Sequence, residues 1–273
     1  MIKGFKNIIL IIIFLCFFIF KNYAQCQDEN TTFSNGEKVS FEVYYNWGFI
    51  WLNAGEVSFK VDSIFQNGTP LYHFISKGGT HKGYEWIYKV RDTYESYLEV
   101  NTFRPLLGKR DSYEGGNIAK ERYQFNYKSM RIFSQVENSD KPLKRDTFSF
   151  EPCTFDVLAA TYYARNIDFS KCKSGDKIPI DIVIDNQVYK LYIKFICKEI
   201  VTHKNGTKYR SIKFKAKVIE GSIFKGDEDL TVWVSDDKNK VPLVVEAKIL
   251  VGSIKAYINE TKNLRHPSTA KID

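Results

Sequence analysis

Strict alternation of apolar and polar residues runs through most of this chain and leaves few folds open to it. In "FEVYYNWGFIWLNAGEVSFKV" the side chains of Phe41, Val43, Tyr45, Trp47, Phe49 and Trp51 are apolar or aromatic at every second position. The pattern stumbles from Leu52 to Glu56 and resumes with Val57, Phe59 and Val61. Successive side chains of a strand point to opposite faces, so this spacing makes one greasy face and one wet one. The same period returns in Tyr84, Trp86, Tyr88 and Val90, in Tyr123, Phe125 and Tyr127, and in Met130, Ile132, Ser134 and Val136. It is strong again in Ile180, Ile182 and Ile184, in Leu191, Ile193 and Phe195, and in several runs between 212 and 258. Turn signals separate the runs: "NYKS", "DNQ", "SDDKNKVP", and the Asn205–Gly206 pair in "HKNGTK", whose residues tolerate positive φ.

One segment departs from the rule. In "CTFDVLAATYYARN" the apolar residues Phe155, Leu158, Ala159 and Tyr162 fall at i, i+3, i+4 and i+7, and Thr154 stands where an N-cap belongs. The expected architecture is therefore mostly β: a curved antiparallel sheet or half-open barrel with one central helix over about residues 155–165. No Pro-, Gly- or Ser-rich linker divides residues 25–262, which read as a single antiparallel β domain, and 263–273 read as a polar tail that frays.

The first 24 residues have a different character. Lys3 and Lys6 precede an apolar run over 8–20, and Ala24 follows in "KNYAQ", which is the layout of a secretory signal peptide cleaved near Ala24. The run is short of the about 20 residues that span a bilayer. Cys26 invites lipidation, but Gln25 stands where lipoprotein signals carry a small residue. The chain is thus expected to be exported, to the periplasm or the outer membrane. Removing Lys3, Lys6 and Lys21 leaves 37 basic against 32 acidic residues. That mild, interleaved charge is a solvated surface and argues against a nucleic-acid partner. Cys26, Cys153, Cys172 and Cys197 remain after cleavage. Cys153 and Cys172 flank the helix and are the expected disulfide, while Cys197 continues an apolar frame and reads as a buried thiol.

"NGEKVSFEVYYNWGFIWLNAGEVSF", "VRDTYESYLEVNTFRPLLGKRDSYEGG", "DVLAATYYARNIDF", "SGDKIPI" and "LTVWVSDDKNKVPLVVEAKILVGSIKAYI" follow one another in that order. This ordered set resembles the family of domain of unknown function 3108 over about residues 33–258. The resemblance implies a bacterial envelope protein with a signal peptide and a largely antiparallel β architecture around one helix. It implies no particular activity.

The residues offer little for catalysis. Ser222 and Ser253 lie in "GSI" pairs without the second glycine of a nucleophile elbow. His81 and Glu85 form the one conceivable acid–base pair, in a glycine-rich loop where solvent-exposed histidines are common. No Cys/His spacing suits zinc, and "SDDKN" lacks the full spacing of a calcium loop, so neither a metal nor a cofactor is expected. Arg91, Asp92, Arg110 and Asp111 alternate along two strands and allow cross-strand pairing of Arg91 with Asp111 and of Arg110 with Asp92, as rim charges or as a buried network.

The aromatic face then decides the reading. Tyr45, Trp47, Phe49 and Trp51 on a concave face, with Gly48 easing the bend and Leu158 and Tyr162 of the helix directed at them, either pack as a core or line a ligand site. The leading functional expectation is a non-catalytic envelope protein that binds a lipid or other amphipathic envelope molecule. The alternatives are an envelope assembly factor that binds a protein partner without a small ligand, and an envelope hydrolase with an unrecognised site.

Overall fold

The computed structural model describes residues 29–47, 50–217, 229–248 and 252–272. Fifteen strands in these residues lie along one sheet and a sixteenth pairs at its side. The first four are β1 (Lys38–Trp47), β2 (Ile50–Gln66), β3 (Thr69–Thr80) and β4 (Val90–Glu99). They continue into β5 (Pro105–Glu114), β6 (Asn117–Asn126), β7 (Arg131–Asn138) and β8 (Lys141–Ser149) as an antiparallel meander. A short β9 (Thr154–Asp156) leads directly into the helix α1 (Val157–Asn166). A second meander follows: β10 (Lys177–Ile184), β11 (Gln187–Thr202), β12 (Lys208–Lys217), β13 (Asp229–Ser235), β14 (Pro242–Lys248) and β15 (Ser253–Lys262). The two halves join where β1 pairs with β15, so the order is β8 to β1, then β15 down to β9. β9 runs parallel to β10, and β16 (Lys271–Ile272) pairs with β12.

The sheet is large and, among the described residues, unclosed by strand pairing. Its outer edge, β8, carries Lys141, Pro142, Lys144 and Arg145 on an exposed strand, which discourages pairing with another chain. Turn chemistry sets the register elsewhere. Asn67 and Gly68 have φ of 50° and 80°, and Asp185 and Asn186 have 50° and 61°. Both pairs are two-residue loops in which each position needs positive φ, matching the natural twist of the strands. The turns at 203–207 and 236–240 fall where the sequence places them, closed by His203 N–H to Thr207 O and Ser235 N–H to Val241 O, each 2.8 Å.

The sheet curls around α1. Asp156 caps the helix, its carboxylate accepting from the N–H groups of Leu158 and Ala159 at 3.1 and 3.0 Å. The cap is thus Asp156 rather than Thr154, which sits in β9. Phe74 stacks on Tyr162 with ring centres 3.9 Å apart, and Phe33, Phe103 and Phe155 complete an aromatic cluster with Tyr163. Each such buried side chain contributes about 1.5–3 kcal/mol. The curl closes tightly at β5: a Cβ on Gly108 would lie 2.7 Å from Asp156 Cβ, so only glycine lets the start of the helix touch that strand. Val183 of β10 then packs with Tyr123, Phe125 and Ile132, and the N–H groups of Asp185 and Asn186 donate to Glu121 Oε2 and Tyr123 Oη at 3.4 and 3.2 Å, joining the two ends of the sheet without a strand-to-strand ladder.

Four further expectations fail. The alternation at Tyr84, Trp86 and Tyr88 is not a strand; Lys82–Tyr84 is a 3₁₀ turn, Ile87 N–H bonds to Tyr84 O at 3.0 Å, and β4 begins only at Val90. Period two without a neighbouring strand to pair with does not make a strand. Cys153 is disulfide-bonded, but Cys172 and Cys197 are free thiols, so the Cys153–Cys172 bond is not formed. Cys172 Sγ instead lies 3.8 Å from Asp168 O, in the short turn that follows the helix. A bulge between Phe195 and Cys197 turns Cys197 out of the core, beside Glu199. The segment 263–272 is also tied down, with Asn239 holding His266 at both backbone groups and Ala270 fully buried.

Candidate functional site: an apolar cavity beneath the helix

α1 covers the concave face incompletely. Between it and strands β1, β2 and β12–β15 lies a cavity of about 280 Å³. Its wall is made by Val39 and Phe41 of β1, Val57 and Phe59 of β2, Phe214 of β12, Leu230, Val232 and Val234 of β13, Pro242 and Val245 of β14, and Ala256 of β15. The helix contributes Thr161, Tyr162, Ala164 and Arg165. The polar side chains of Thr161 and Arg165 in this wall are occupied. Thr161 Oγ1 donates to Val157 O at 2.9 Å. Arg165, 4% exposed, donates to both carboxylate oxygens of fully buried Glu37, at 2.5 and 3.1 Å, and to Asn239 O at 2.9 Å. A guanidinium so committed closes one end of the cavity without offering a free charge. The interior is therefore suited to a hydrocarbon and has no charged group to spare for a head group.

The other half of the concave face is polar. Arg110 Nη1 donates to Glu121 Oε1 at 3.0 Å, its Nε to Ser112 Oγ at 3.1 Å, and its Nη2 lies 3.4 Å from Glu114 Oε1. Tyr123 Oη donates to Glu121 Oε2 at 2.6 Å. Burial pushes the Glu121 carboxyl up, against the pull of Tyr123 and Arg110. Asp92 faces the same cluster and is pushed up to about 6 by burial and by Glu114, with Arg110 opposing. Asp156 is pushed up to about 6 by burial, although Ser96 and two helix N–H groups bond to it.

The predicted residues separate. β1 and β2 are an antiparallel hairpin, not one strand: Trp47 pairs with Ile50 and Asn46 with Trp51. The chain reverses between them, so Trp51 shares the outer face with Asn46 and Tyr44. It is 40% exposed, with Lys255 Nζ 5.3 Å from its ring. Tyr45 is half-buried and points inward, opposite Leu52 and Ile254. Gly48, Phe49 and the side chain of Trp47 lie outside the described residues. Tyr162 reaches the cavity, while Leu158 packs in the aromatic core beside it. Asp92 and Arg110 are diagonal neighbours on the inner face; Arg91 and Asp111 are exposed on the outer one. Arg91 pairs with Glu85 instead of Asp111, and His81 Nε2 meets Asn53 Oδ1 at 3.3 Å, so His81 and Glu85 do not act together. The cavity wall was visible in the alternation of Val39, Phe41, Val57 and Phe59, but the larger aromatics beyond Phe41 drew the reading one turn too far.

No curated protein matches this chain in sequence. Among solved structures it is similar to a Brucella abortus protein titled "Crystal Structure of Beta-barrel-like Protein of Domain of Unknown Function DUF1849". The similarity has a TM-score of 0.55 at 5% identity and covers 85% of this chain and 99% of the other. At that identity it speaks for the barrel-like fold alone. In sequence, residues 40–259 match the family described as "Protein of unknown function (DUF3108)", and the chain belongs to that family.

Proposed function

We propose that this protein is an exported, non-catalytic envelope protein that holds one apolar or amphipathic molecule, such as a single acyl chain, in the cavity beneath α1. The observation that carries this reading is the cavity itself: about 280 Å³, walled almost wholly by hydrocarbon, in an interior otherwise filled by interlocked rings. Ligand sites usually begin at about 300 Å³, so the space suits one chain and not a whole two-chain lipid. An empty hole of this size would cost the fold stability, roughly 24 cal/mol for each Å³ in packed interiors. Occupancy by a hydrophobic ligand offsets that cost.

Mass spectrometry of the organic extract of the purified protein tests this. A stoichiometric acyl-chain or other apolar species is expected from the parent. It should be absent from Ala164→Leu, which fills the cavity from the helix side without changing the helix's propensity much. A parent extract without any such molecule, together with an Ala164→Leu variant of raised stability, would mark the cavity as a mere packing defect.

A further inference from the structure

Ten large hydrophobic side chains of the described residues are exposed, and five of them fall together at one end of the sheet: Ile50, Trp51, Trp86, Ile87 and Tyr88. Ile118 stands at the β5–β6 turn of the same end, and the remaining four are spread over other strands and turns, as isolated surface hydrophobics usually are. Trp86 is the extreme, 83% exposed, with Ile87 at 58%. Tryptophan is among the costliest side chains to hold in water, and here the chain is folded so as to hold it there. The projection is built. The 3₁₀ turn Lys82–Tyr84 is followed by the bond from Ile87 N–H to Tyr84 O. Thr80 Oγ1 donates to Tyr88 O at 3.0 Å, and Gly115 N–H to Lys89 O at 2.9 Å. Gly115 lets the Tyr88 ring lie down on the β5–β6 turn, because a Cβ there would lie 2.2 Å from that ring and push it aside.

The neighbouring hairpin is fixed to this loop. β2 extends past the end of β3, and His81 bonds to that overhang twice, N–H to Ala54 O at 2.8 Å and Nε2 to Asn53 Oδ1 at 3.3 Å. Ile50 and Trp51 thus stand on the same end as Trp86 and Ile87. The charges around the patch are mainly basic. From Lys82 to Arg91 the loop has Lys82, Lys89 and Arg91 against one acid, Glu85, which is neutralised by Arg91. Lys255, with its Nζ 5.3 Å from the Trp51 ring, is neutralised by Glu246 at 3.2 Å and adds no net charge.

We infer that this end of the sheet docks onto an anionic lipid surface, with Trp86 and Ile87 entering the interface and Lys82 and Lys89 meeting the phosphates. Tryptophan and tyrosine favour the boundary between head groups and acyl chains, and lysine at the rim adds attraction to anionic lipid. A protein partner would be served by an apolar patch too. Lys82 and Lys89, exposed on either side of a protruding tryptophan, suit the phosphates of a lipid surface, and this pattern favours lipid.

Flotation with vesicles of equal parts phosphatidylethanolamine and phosphatidylglycerol tests the inference on the exported form of the protein. The parent should float with these vesicles, and about tenfold less with phosphatidylcholine alone. The double variant Trp86→Ser, Ile87→Ser should lose flotation while keeping its unfolding midpoint, since both side chains are exposed. Lipids brominated in the acyl chain should quench the fluorescence of the parent more than that of Trp86→Phe. Equal flotation of parent and double variant, or none by the parent, would overturn the inference. So would a parent that is dimeric in solution and becomes monomeric in the double variant, because the patch would then be a contact between copies of the chain.

Discussion

Asp156 concentrates at one residue the compromise that places the helix. Its carboxylate caps α1, accepts from Ser96 at 2.6 Å and lies against Gly108, all inside the fold. Burial pushes it from 3.8 up to about 6, so the folded protein binds its proton more tightly than the unfolded chain does. The stabilisation linked to that proton is fully present below about pH 4 and is lost as pH rises through about 6. Asn caps a helix as well as Asp and carries no charge to bury. Asp156→Asn should therefore gain on the parent by on the order of 3 kcal/mol between pH 4 and pH 7, read as the difference in urea-unfolding free energy. A difference that does not change with pH would show that the carboxylate is not held protonated by its surroundings. Asp92 titrates over the same range in both proteins, and taking the difference cancels it.

Among the elements, α1 is held at its far end by a buried ion pair rather than by packing alone. Arg165 in its last turn reaches Glu37, just before β1, and Asn239, in the turn before β14. Removing one partner leaves the other charge buried without compensation, so Glu37→Ala should cost about 3–5 kcal/mol, measured by urea unfolding at neutral pH. A loss below about 1 kcal/mol would mean that water replaces the lost carboxylate. At this scale the sequence is most readable. Period two, the turn residues and the helical spacing at Phe155, Leu158 and Tyr162 foretell the strands and the helix because each is a local rule. What misled is long-range. The reversal after Trp47 puts Trp51 on the opposite face from Tyr45, and a one-residue bulge does the same to Cys197. Trp86 alternates with its neighbours like a strand residue, but among the described residues no strand pairs with it, and pairing partners are not written in the local pattern. The expected inward aromatic stripe and the real cavity wall therefore lie on the same hairpin, a few residues apart.

At the scale of the molecule, one long sheet wraps one short helix, and the two halves of its inner face differ in chemistry. The half formed by β4–β7 is lined with Asp92, Arg110, Ser112, Glu121 and Tyr123, whereas the half formed by β1, β2 and β12–β15 is hydrocarbon around an unfilled space. Ten residues of helix are too few to fill a concavity that so many strands enclose, which is the physical origin of the cavity. Its apolar lining was foreseeable from alternation, but its volume was not, because volume depends on how far the helix reaches across the sheet. The central claim is that this volume takes up a hydrocarbon chain. Fluorescence titration of the delipidated protein with trans-parinaric acid tests it most directly. The account predicts saturable binding of one probe per chain, displaced by a saturated fatty acid and abolished in Ala164→Leu, which should unfold no more easily than the parent. No saturable binding by the parent, or binding by Ala164→Leu equal to the parent's, would contradict it.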